Sequence, residues 1–147
     1  MKRFYYSFVC LLMVFAFSSS IFANEPAQKD EIEKTINNYV SGTDSRDVNS
    51  IEKALYPEAT IVTVNKITNK TMTQTTDQFV EQVKSGRAGG WKRNLEVSSV
   101  DGNDNVATAK ITISDAAIKQ DGYLTLVKNG DGWKIVSGVF TLESNKK

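Results

Sequence analysis

Residues 132–140, near the C-terminal end of the chain, read GWKIVSGVF, and the prediction of the fold starts from this segment. β-branched and aromatic residues are frequent over residues 133–142, which predicts a strand, the last and longest of the chain. Residues 129–132, just before it, read NGDG, which is typical of a tight hairpin turn. Residues 123–127 predict the strand on the other side of that turn. The C-terminal end is therefore predicted to form a β-hairpin.

Two further antiparallel strands are predicted upstream from an alternation of apolar and polar residues. The alternation covers residues 95–98 and 107–114, and it is typical of strands with one buried face. Between them, residues 101–105 supply oxygen atoms at alternate positions, like the start of a calcium loop. The sixth position, which should be glycine, is however Val106, and the twelfth, which should be a carboxylate, is Thr112. We predict a hairpin turn there and no metal site.

The first half of the chain predicts helices. The first helix is expected from Asp30 to about Gly42, because apolar residues recur on one face. That face carries Ile32, Ile36, Tyr39 and Val40. The second helix is expected to start at Asp47 or Asn49, either of which can cap it, and to stop at Pro57.

A strand pair and a third helix complete the pattern. Residues 60–64 read TIVTV and predict a strand, and residues 65–70 predict a turn before a short second strand. Thr75 and Gln78 have the spacing of a capping box, which predicts the start of the third helix. This order of elements predicts an α+β fold in which a curved antiparallel sheet wraps around three helices of the N-terminal half.

With this order of elements, the chain resembles the nuclear transport factor 2-like superfamily, and within it the "putative lumazine-binding" group of small bacterial proteins. The resemblance is carried by residues 40–42 (VSG), 54–59 (ALYPEA) and 132–140. It implies a cone-shaped, cystatin-like half-barrel with a pocket between the concave sheet and the helices, often dimeric through the outer sheet face. The fold hosts isomerases, dehydratases, cyclases and non-catalytic binding modules, so it does not decide the function.

Residues 1–23 are predicted to be a signal peptide. Two basic residues precede an apolar run at residues 4–17, and small residues then lead to Ala23, after which we expect cleavage. The apolar run is shorter than the roughly 20 residues that a membrane-spanning helix needs. We predict export to the periplasm or secretion, no membrane attachment after cleavage, and a single domain over residues 24–147.

The composition of the mature chain excludes several kinds of chemistry. The chain has no histidine, and its one cysteine, Cys10, lies in the predicted signal peptide. The usual zinc ligands and the Ser-His and Cys-His nucleophiles are therefore absent, and we expect no cofactor. Residues 1–23 hold two of the 18 basic residues and none of the 17 acidic ones, which leaves a net charge of −1. No nucleic-acid partner is expected.

An acid–base mechanism could still combine a carboxylate with a tyrosine. The candidate catalytic residues are Asp121 and Tyr123 on one strand, with Tyr39 and Tyr56 from the helical part. Asp121 precedes Gly122, where turn residues are expected, so the alternative is a turn aspartate and structural tyrosines.

The aromatic residues are also candidates for a ligand pocket, because small-molecule sites combine aromatic walls with a few polar groups. The candidate pocket residues are Tyr39, Tyr56, Trp91, Lys110, Tyr123 and Phe140. The aromatic side chains could equally be core or dimer contacts, and Lys110 could be a solvated residue of the outer sheet face. Residues 84–93 combine glycines with four basic residues. They could form an anion-binding nest or a mobile loop at the pocket mouth.

Three hypotheses follow for the function. The first is a non-catalytic domain that binds a small molecule or a partner in a cone-shaped pocket, as a homodimer. The second is a small isomerase or dehydratase with a Tyr/Asp pair, which requires a buried carboxylate with a raised pKa. The third is an interaction module with a filled cone. The dimer is expected because Val136 and Phe140 alternate with Ile135 and Val139, so both faces of the last strand are apolar.

Overall fold

The computed structural model describes residues 25–130 and 132–146, and the predicted signal peptide lies outside them. Three helices and six strands follow one another in the order ααββαββββ. The elements are α1 (Glu25–Ser45), α2 (Val48–Ala54), β1 (Leu55–Asn65), β2 (Lys70–Thr75), α3 (Thr76–Lys84), β3 (Asn94–Gly102), β4 (Val106–Ser114), β5 (Ile118–Asn129) and β6 (Gly132–Ser144).

α1 confirms the predicted buried stripe and extends beyond it at both ends. Ile32, Ile36, Tyr39 and Val40 are all buried. The helix begins at Glu25 rather than Asp30, because Pro26 is compatible with a first helical turn. It also continues through Gly42, whose missing side chain lets the backbone approach Ser50 of α2. The helix ends before Arg46, which has a positive φ of 57°.

The other predicted helix starts are confirmed, but the end of α2 is not where it was predicted. Asp47 rather than Asn49 caps α2, accepting a hydrogen bond from the Ser50 N–H. α2 ends at Ala54, and β1 begins at once, so Pro57 lies within the strand and does not stop the helix. The pairing of β1 with β6 is irregular around this proline, because proline cannot donate a backbone hydrogen bond.

The six strands form one curved mixed sheet in the order β2-β1-β6-β5-β4-β3. β3 to β6 make the predicted antiparallel meander. The hairpin of β1 and β2 joins it through parallel pairing of β1 with β6. The helices cover one face of the sheet, and their apolar residues share a single core cluster with the inward side chains of β1, β4, β5 and β6. The opposite, outer face is not covered by any described helix.

A bulge in β6 changes which residues of this strand face the core. Ser137 pairs with Thr125 and Ile135 pairs with Leu126, so Val136 is one extra residue. Beyond the bulge, Phe140 is buried and Val139 is exposed. The expected alternation, with Val136 and Phe140 on one face and Ile135 and Val139 on the other, was wrong, because the extra residue shifts it by one position.

Candidate functional site

A groove between α1 and the start of β3 combines apolar and polar groups at the margin of the core. It has a volume of about 550 Å³. α1 lines one side with Asn37, Val40, Ser41, Asp44 and Ser45, and residues 92–95 line the other. Val40 is buried and Leu95 packs against the core, so these two residues form an apolar floor. We call this surface the α1–β3 groove.

One wall of the α1–β3 groove is held by an ion pair. Asp44 Oδ1 lies 2.6 Å from Arg93 Nε, and the two side chains are only 13% and 12% exposed. The second carboxylate oxygen of Asp44 accepts a hydrogen bond from the Arg93 backbone N–H at 2.8 Å. Because both oxygens are used, this carboxylate positions Arg93 and neutralises its charge.

Asn37 of α1 and Asn94 of β3 both line the α1–β3 groove, and both residues are exposed. Among residues 25–130 and 132–146, neither amide forms a hydrogen bond to another residue. Each amide offers one carbonyl oxygen and one NH₂ group. The groove can therefore satisfy both donors and acceptors of a polar ligand.

Trp91 lies directly before the residues that line the groove, and its ring is fixed. The indole Nε1–H donates to Asp115 Oδ2 at 3.1 Å, while 47% of the residue stays exposed. Asp115 is itself held by the backbone N–H groups of Ala117 and Ile118. Hydrogen bonds from Ile118, then Ala117 and Trp91, hold the pKa of the Asp115 carboxyl below its usual range. Trp91 thus presents an ordered aromatic surface to solvent.

Two candidate pocket residues belong to the core. Tyr39 is 8% and Phe140 4% exposed. The Tyr39 ring packs against Phe79 with 5.7 Å between the ring centroids. Burial raises the pKa of the Tyr39 hydroxyl, and the nearby charge of Arg93 partly opposes this. Both aromatic side chains fill the space between the helices and the sheet.

Tyr56, Lys110 and Tyr123 do not join these residues. Tyr56 is exposed on β1, and its backbone carbonyl accepts a hydrogen bond from Thr76. Lys110 and Tyr123 are paired neighbours on β4 and β5, and both are exposed on the outer face. The six candidate pocket residues therefore occupy the core, the outer face and the loop before β3, and they do not form one site.

Asp121 does not lie in a turn, although its place before Gly122 suggested one. Its surroundings do not suit a general base. It lies within β5 on the outer sheet face, because the strand begins at Ile118 rather than at Tyr123. Lys119 Nζ contacts one carboxylate oxygen at 2.7 Å, and the Thr112 hydroxyl donates to the other at 2.7 Å. The hydrogen bonds from Lys119 and then Thr112 lower the pKa of Asp121. The predicted buried carboxylate with a raised pKa is not provided by this residue.

The loop before β3 is held by protein contacts that use several of the N–H groups expected for an anion nest. The N–H groups of Gly86, Arg87, Ala88 and Gly90 all donate to backbone carbonyls. The Arg93 N–H donates to Asp44. These donors are therefore not free for a bound anion.

Sequence reasoning missed the residues that build this region. Asp44, Asp115 and Asn37 had not been considered, and Arg46 had not been distinguished from other surface residues. No local pattern marks the two aspartates, because each meets its partner across a long stretch of chain. Asp115 lies 24 residues from Trp91, and Asp44 lies 49 residues from Arg93. Within residues 25–130 and 132–146, no three acidic, histidine or cysteine residues lie close enough to hold a metal ion.

None of the helices formed by the described residues combines the length and the apolar composition needed to cross a membrane.

Comparisons with known proteins agree with this architecture. A family model described as "Putative lumazine-binding" matches residues 27–141. No match was found among curated proteins.

Solved structures with a similar fold include an NTF-2 like protein of unknown function from Silicibacter pomeroyi, with 18% identity and a TM-score of 0.71 over 80% of this chain and 98% of that one. A second NTF2-like protein of unknown function, from Shewanella baltica, has 17% identity and a TM-score of 0.68, covering 84% of this chain and 98% of the other. A cystatin-like fold protein from Burkholderia xenovorans has 15% identity and a TM-score of 0.64, covering 84% and 97%. At these identities the likeness shows the fold alone, and the predicted fold class is confirmed.

Proposed function

Since the chain belongs to the "putative lumazine-binding" family of the nuclear transport factor 2-like superfamily, we propose that it is an exported, non-catalytic domain that binds a flat heteroaromatic molecule. The ligand is proposed to lie at the α1–β3 groove, against Trp91. The observation that carries the proposal is the ring of Trp91, which is nearly half exposed yet fixed by Asp115. An exposed tryptophan that is already ordered can stack on a flat ring with little loss of conformational entropy.

The chemistry of the groove supports a polar heterocycle rather than an apolar ligand. Leu95, which is half-buried, supplies apolar area, whereas Asn37 and Asn94 supply hydrogen-bond donors and acceptors. Lumazine, the compound in the family description, is a flat bicyclic dione that carries both N–H and C=O groups. Its ring faces suit Trp91, and its edge suits the two amides.

The charged groups support binding without catalysis. Both oxygens of the Asp44 carboxylate are engaged by Arg93. Asp121 is ionised and lies on the opposite face of the sheet, away from the α1–β3 groove. The mature chain also has no histidine or cysteine. The groove therefore has no free group that is suited to general acid–base work near neutral pH.

The proposal is tested by titrating the mature protein with lumazine and following the fluorescence anisotropy of the ligand. We expect saturable binding that Trp91→Ala weakens about tenfold or more, because ring stacking contributes about 1–3 kcal/mol. The matched control is Trp133→Phe, which changes the second tryptophan of the chain, a buried residue of β6. Absence of saturable binding, or equal binding by Trp91→Ala, would refute the site.

We further propose that two copies of the domain associate through the outer sheet face. Tyr123, Val139 and Val62 are consecutive partners across β5, β6 and β1. Tyr123 is 59% and Val139 54% exposed, and Val64 nearby is 39% exposed. An exposed apolar row of this kind on a sheet favours association with a complementary surface.

Light scattering on the purified mature protein tests the dimer. We expect the native protein to be dimeric and Val139→Asp to be monomeric with an unchanged far-UV spectrum. Ile67→Asp is the matched control, because Ile67 is 56% exposed in the turn after β1 and not on the sheet face. A monomeric native protein, or a dimer that survives Val139→Asp, would overturn this interface. Phe140 is unsuitable for this test because it belongs to the core.

A further inference from the structure

Asp44, near the end of α1, and Arg46, directly after the helix, hold the loop that carries Trp91. This segment, residues 85–93, is called the 85–93 loop. It connects α3 to β3 and crosses the C-terminal end of α1. Arg46 and Asp44 hydrogen-bond to this loop. The indole of Trp91 is held separately, by Asp115.

Arg46 makes the first of these attachments. Its guanidinium Nη2 donates to the carbonyl oxygen of Gly86 at 3.2 Å and to that of Gly89 at 3.1 Å. The two carbonyls are three residues apart in the loop, so one side chain sets the curvature between them. Hydrogen bonds from a charged donor of this kind are stronger than those between neutral groups.

The backbone of the loop leaves room for this arrangement only because two positions are glycine. A Cβ at Gly89 would overlap with the carbonyl oxygen of Thr43, and a Cβ at Gly90 would lie 2.6 Å from Cζ of Arg46. Both glycines also have positive φ angles, of 70° and 93°, which residues with side chains rarely adopt. The loop therefore lies directly against the end of α1, with Gly90 packed on the guanidinium.

Asp44 makes the second attachment, through two hydrogen bonds to loop residues that lie before and after Trp91. Its backbone carbonyl accepts a hydrogen bond from the Gly90 N–H at 3.1 Å, and its carboxylate accepts one from the Arg93 N–H at 2.8 Å. Trp91 is thus bracketed by two residues whose backbone is fixed to α1. Arg46 acts upstream of this bracket and, within the described residues, forms no hydrogen bond or ion pair with the side chains of Asp44 and Arg93.

We infer that Arg46 is a positioning residue that forms the ligand site before the ligand arrives, an inference that rests on the proposed function. By holding the carbonyls of Gly86 and Gly89, it keeps Trp91 in place for stacking and keeps residues 92–95 against the groove. A ligand then does not have to order the loop, and the free energy of ordering is not subtracted from its affinity.

The inference is tested with Arg46→Gln, using two readouts in a Trp133→Phe background so that Trp91 is the only tryptophan. Lumazine affinity should fall severalfold to about tenfold, because the ligand must then order the loop itself, and a tenfold step corresponds to about 1.4 kcal/mol. Without ligand, the fluorescence anisotropy of Trp91 should fall, which reports a loosened loop. Arg87→Gln is the matched control, because Arg87 belongs to the same loop but its Nε donates only to the Ser85 hydroxyl.

A second variant keeps the test decisive if Arg46→Gln folds poorly. Gly90→Ala leaves Arg46 in the chain, but it strains a position with a φ of 93° and places a methyl group against the guanidinium, so it should lower both the Trp91 anisotropy and the affinity. Native-like affinity in Arg46→Gln and Gly90→Ala would overturn the inference. If the native protein does not bind lumazine, the proposed function fails. The Trp91 anisotropy of Arg46→Gln against Arg87→Gln still decides whether Arg46 positions the loop.

Discussion

Asp121 shows how the local contacts of one residue set its charge. On the outer sheet face, its carboxylate forms an ion pair with the ammonium group of Lys119 and accepts a hydrogen bond from the Thr112 hydroxyl. Both contacts favour the ionised form, so the pKa of Asp121 in the folded protein is below its ordinary value. The side chain is about one third exposed, so solvent weakens the pairing.

A pH dependence of stability follows from this lowered pKa. Because the folded-state pKa lies below the unfolded value of about 3.9, the stabilisation by Asp121 is present above about pH 4 and is lost as the pH falls through the folded-state pKa. Asp121→Asn should therefore be less stable than the native protein at pH 7 by a few tenths to 1 kcal/mol. The difference should shrink as the pH falls below about 4 and disappear once the pH is below the folded-state pKa of Asp121. Urea unfolding at pH 7 and at a series of acidic pH values measures it, and a difference that does not shrink with falling pH would contradict the assignment.

In contrast to the carboxylate of Asp121, the indole N–H of Trp133 has no hydrogen-bond partner among the described residues. The Trp133 ring is 4% exposed within the core. Lys128 Nζ lies 5.9 Å from the ring centroid, and the Trp133 carbonyl oxygen is 3.4 Å from the Thr35 hydroxyl. Apolar packing of the large ring offsets the cost of the unpaired N–H, which is about 1–3 kcal/mol.

At the scale of elements, β5 and β6 must come close where the Phe140 ring enters the core. Gly122 pairs with Phe140 across the two strands, and a Cβ at Gly122 would overlap with the Phe140 ring. A Cβ at Gly138 would lie 2.8 Å from Ile61 Cδ1 and equally close to Leu124. The two glycines thus provide the space that a large aromatic ring needs on the concave face.

Gly122→Ala is therefore expected to destabilise the protein by about 1–3 kcal/mol, because the methyl group would displace the Phe140 ring or the strand. Gly130→Ala is the matched control: nothing lies within 4 Å of a Cβ at that turn position, and it should change stability by less than about 0.5 kcal/mol. Chemical denaturation measures both variants. Equal stability of Gly122→Ala and Gly130→Ala would show that Phe140 is not packed as described.

At the scale of the whole molecule, the side chains expected to line an inner pocket contribute instead to a packed core. Tyr39 and Phe140 belong to the same cluster as the buried residues of α1, α2 and the sheet. Binding is therefore proposed at the margin of the cone, in the α1–β3 groove, rather than at its centre. This arrangement lets the core stabilise a small domain without disulfides, while the margin provides the polar groups.

For the whole protein we also propose export from the cytoplasm, which is supported by the composition of residues 1–23. We expect the mature chain to begin at Asn24. The measurement is the intact mass of the protein recovered outside the cytoplasm of a bacterial host. Ala23→Leu should retain the uncleaved precursor, whereas Ala27→Leu, four residues further, should not. A cytoplasmic product that still contains residues 1–23 would contradict export.

Much of the fold could be predicted from local patterns. The buried stripe of α1, the capping box at Thr75 and Gln78, and the alternation in β4 involve residues a few positions apart, so the sequence displays them directly. The start of β5 was misplaced because Asp121 and Gly122 have turn propensity, which the pairing of β5 with β4 and β6 overrides. Local propensity is weak compared with such tertiary pairing.

Local patterns were enough to predict the class of the fold, the order of its elements and most of the core of α1, and the chain contains no histidine. The face of β6 that carries Phe140, the position of Asp121 and the set of residues at the α1–β3 groove depend on long-range packing and could not be predicted. The physical reason is distance along the chain. Arg46 contacts carbonyls 40 and 43 residues away, and Asp44 contacts a residue 49 positions away, and such contacts form only when the packed sheet brings these segments together.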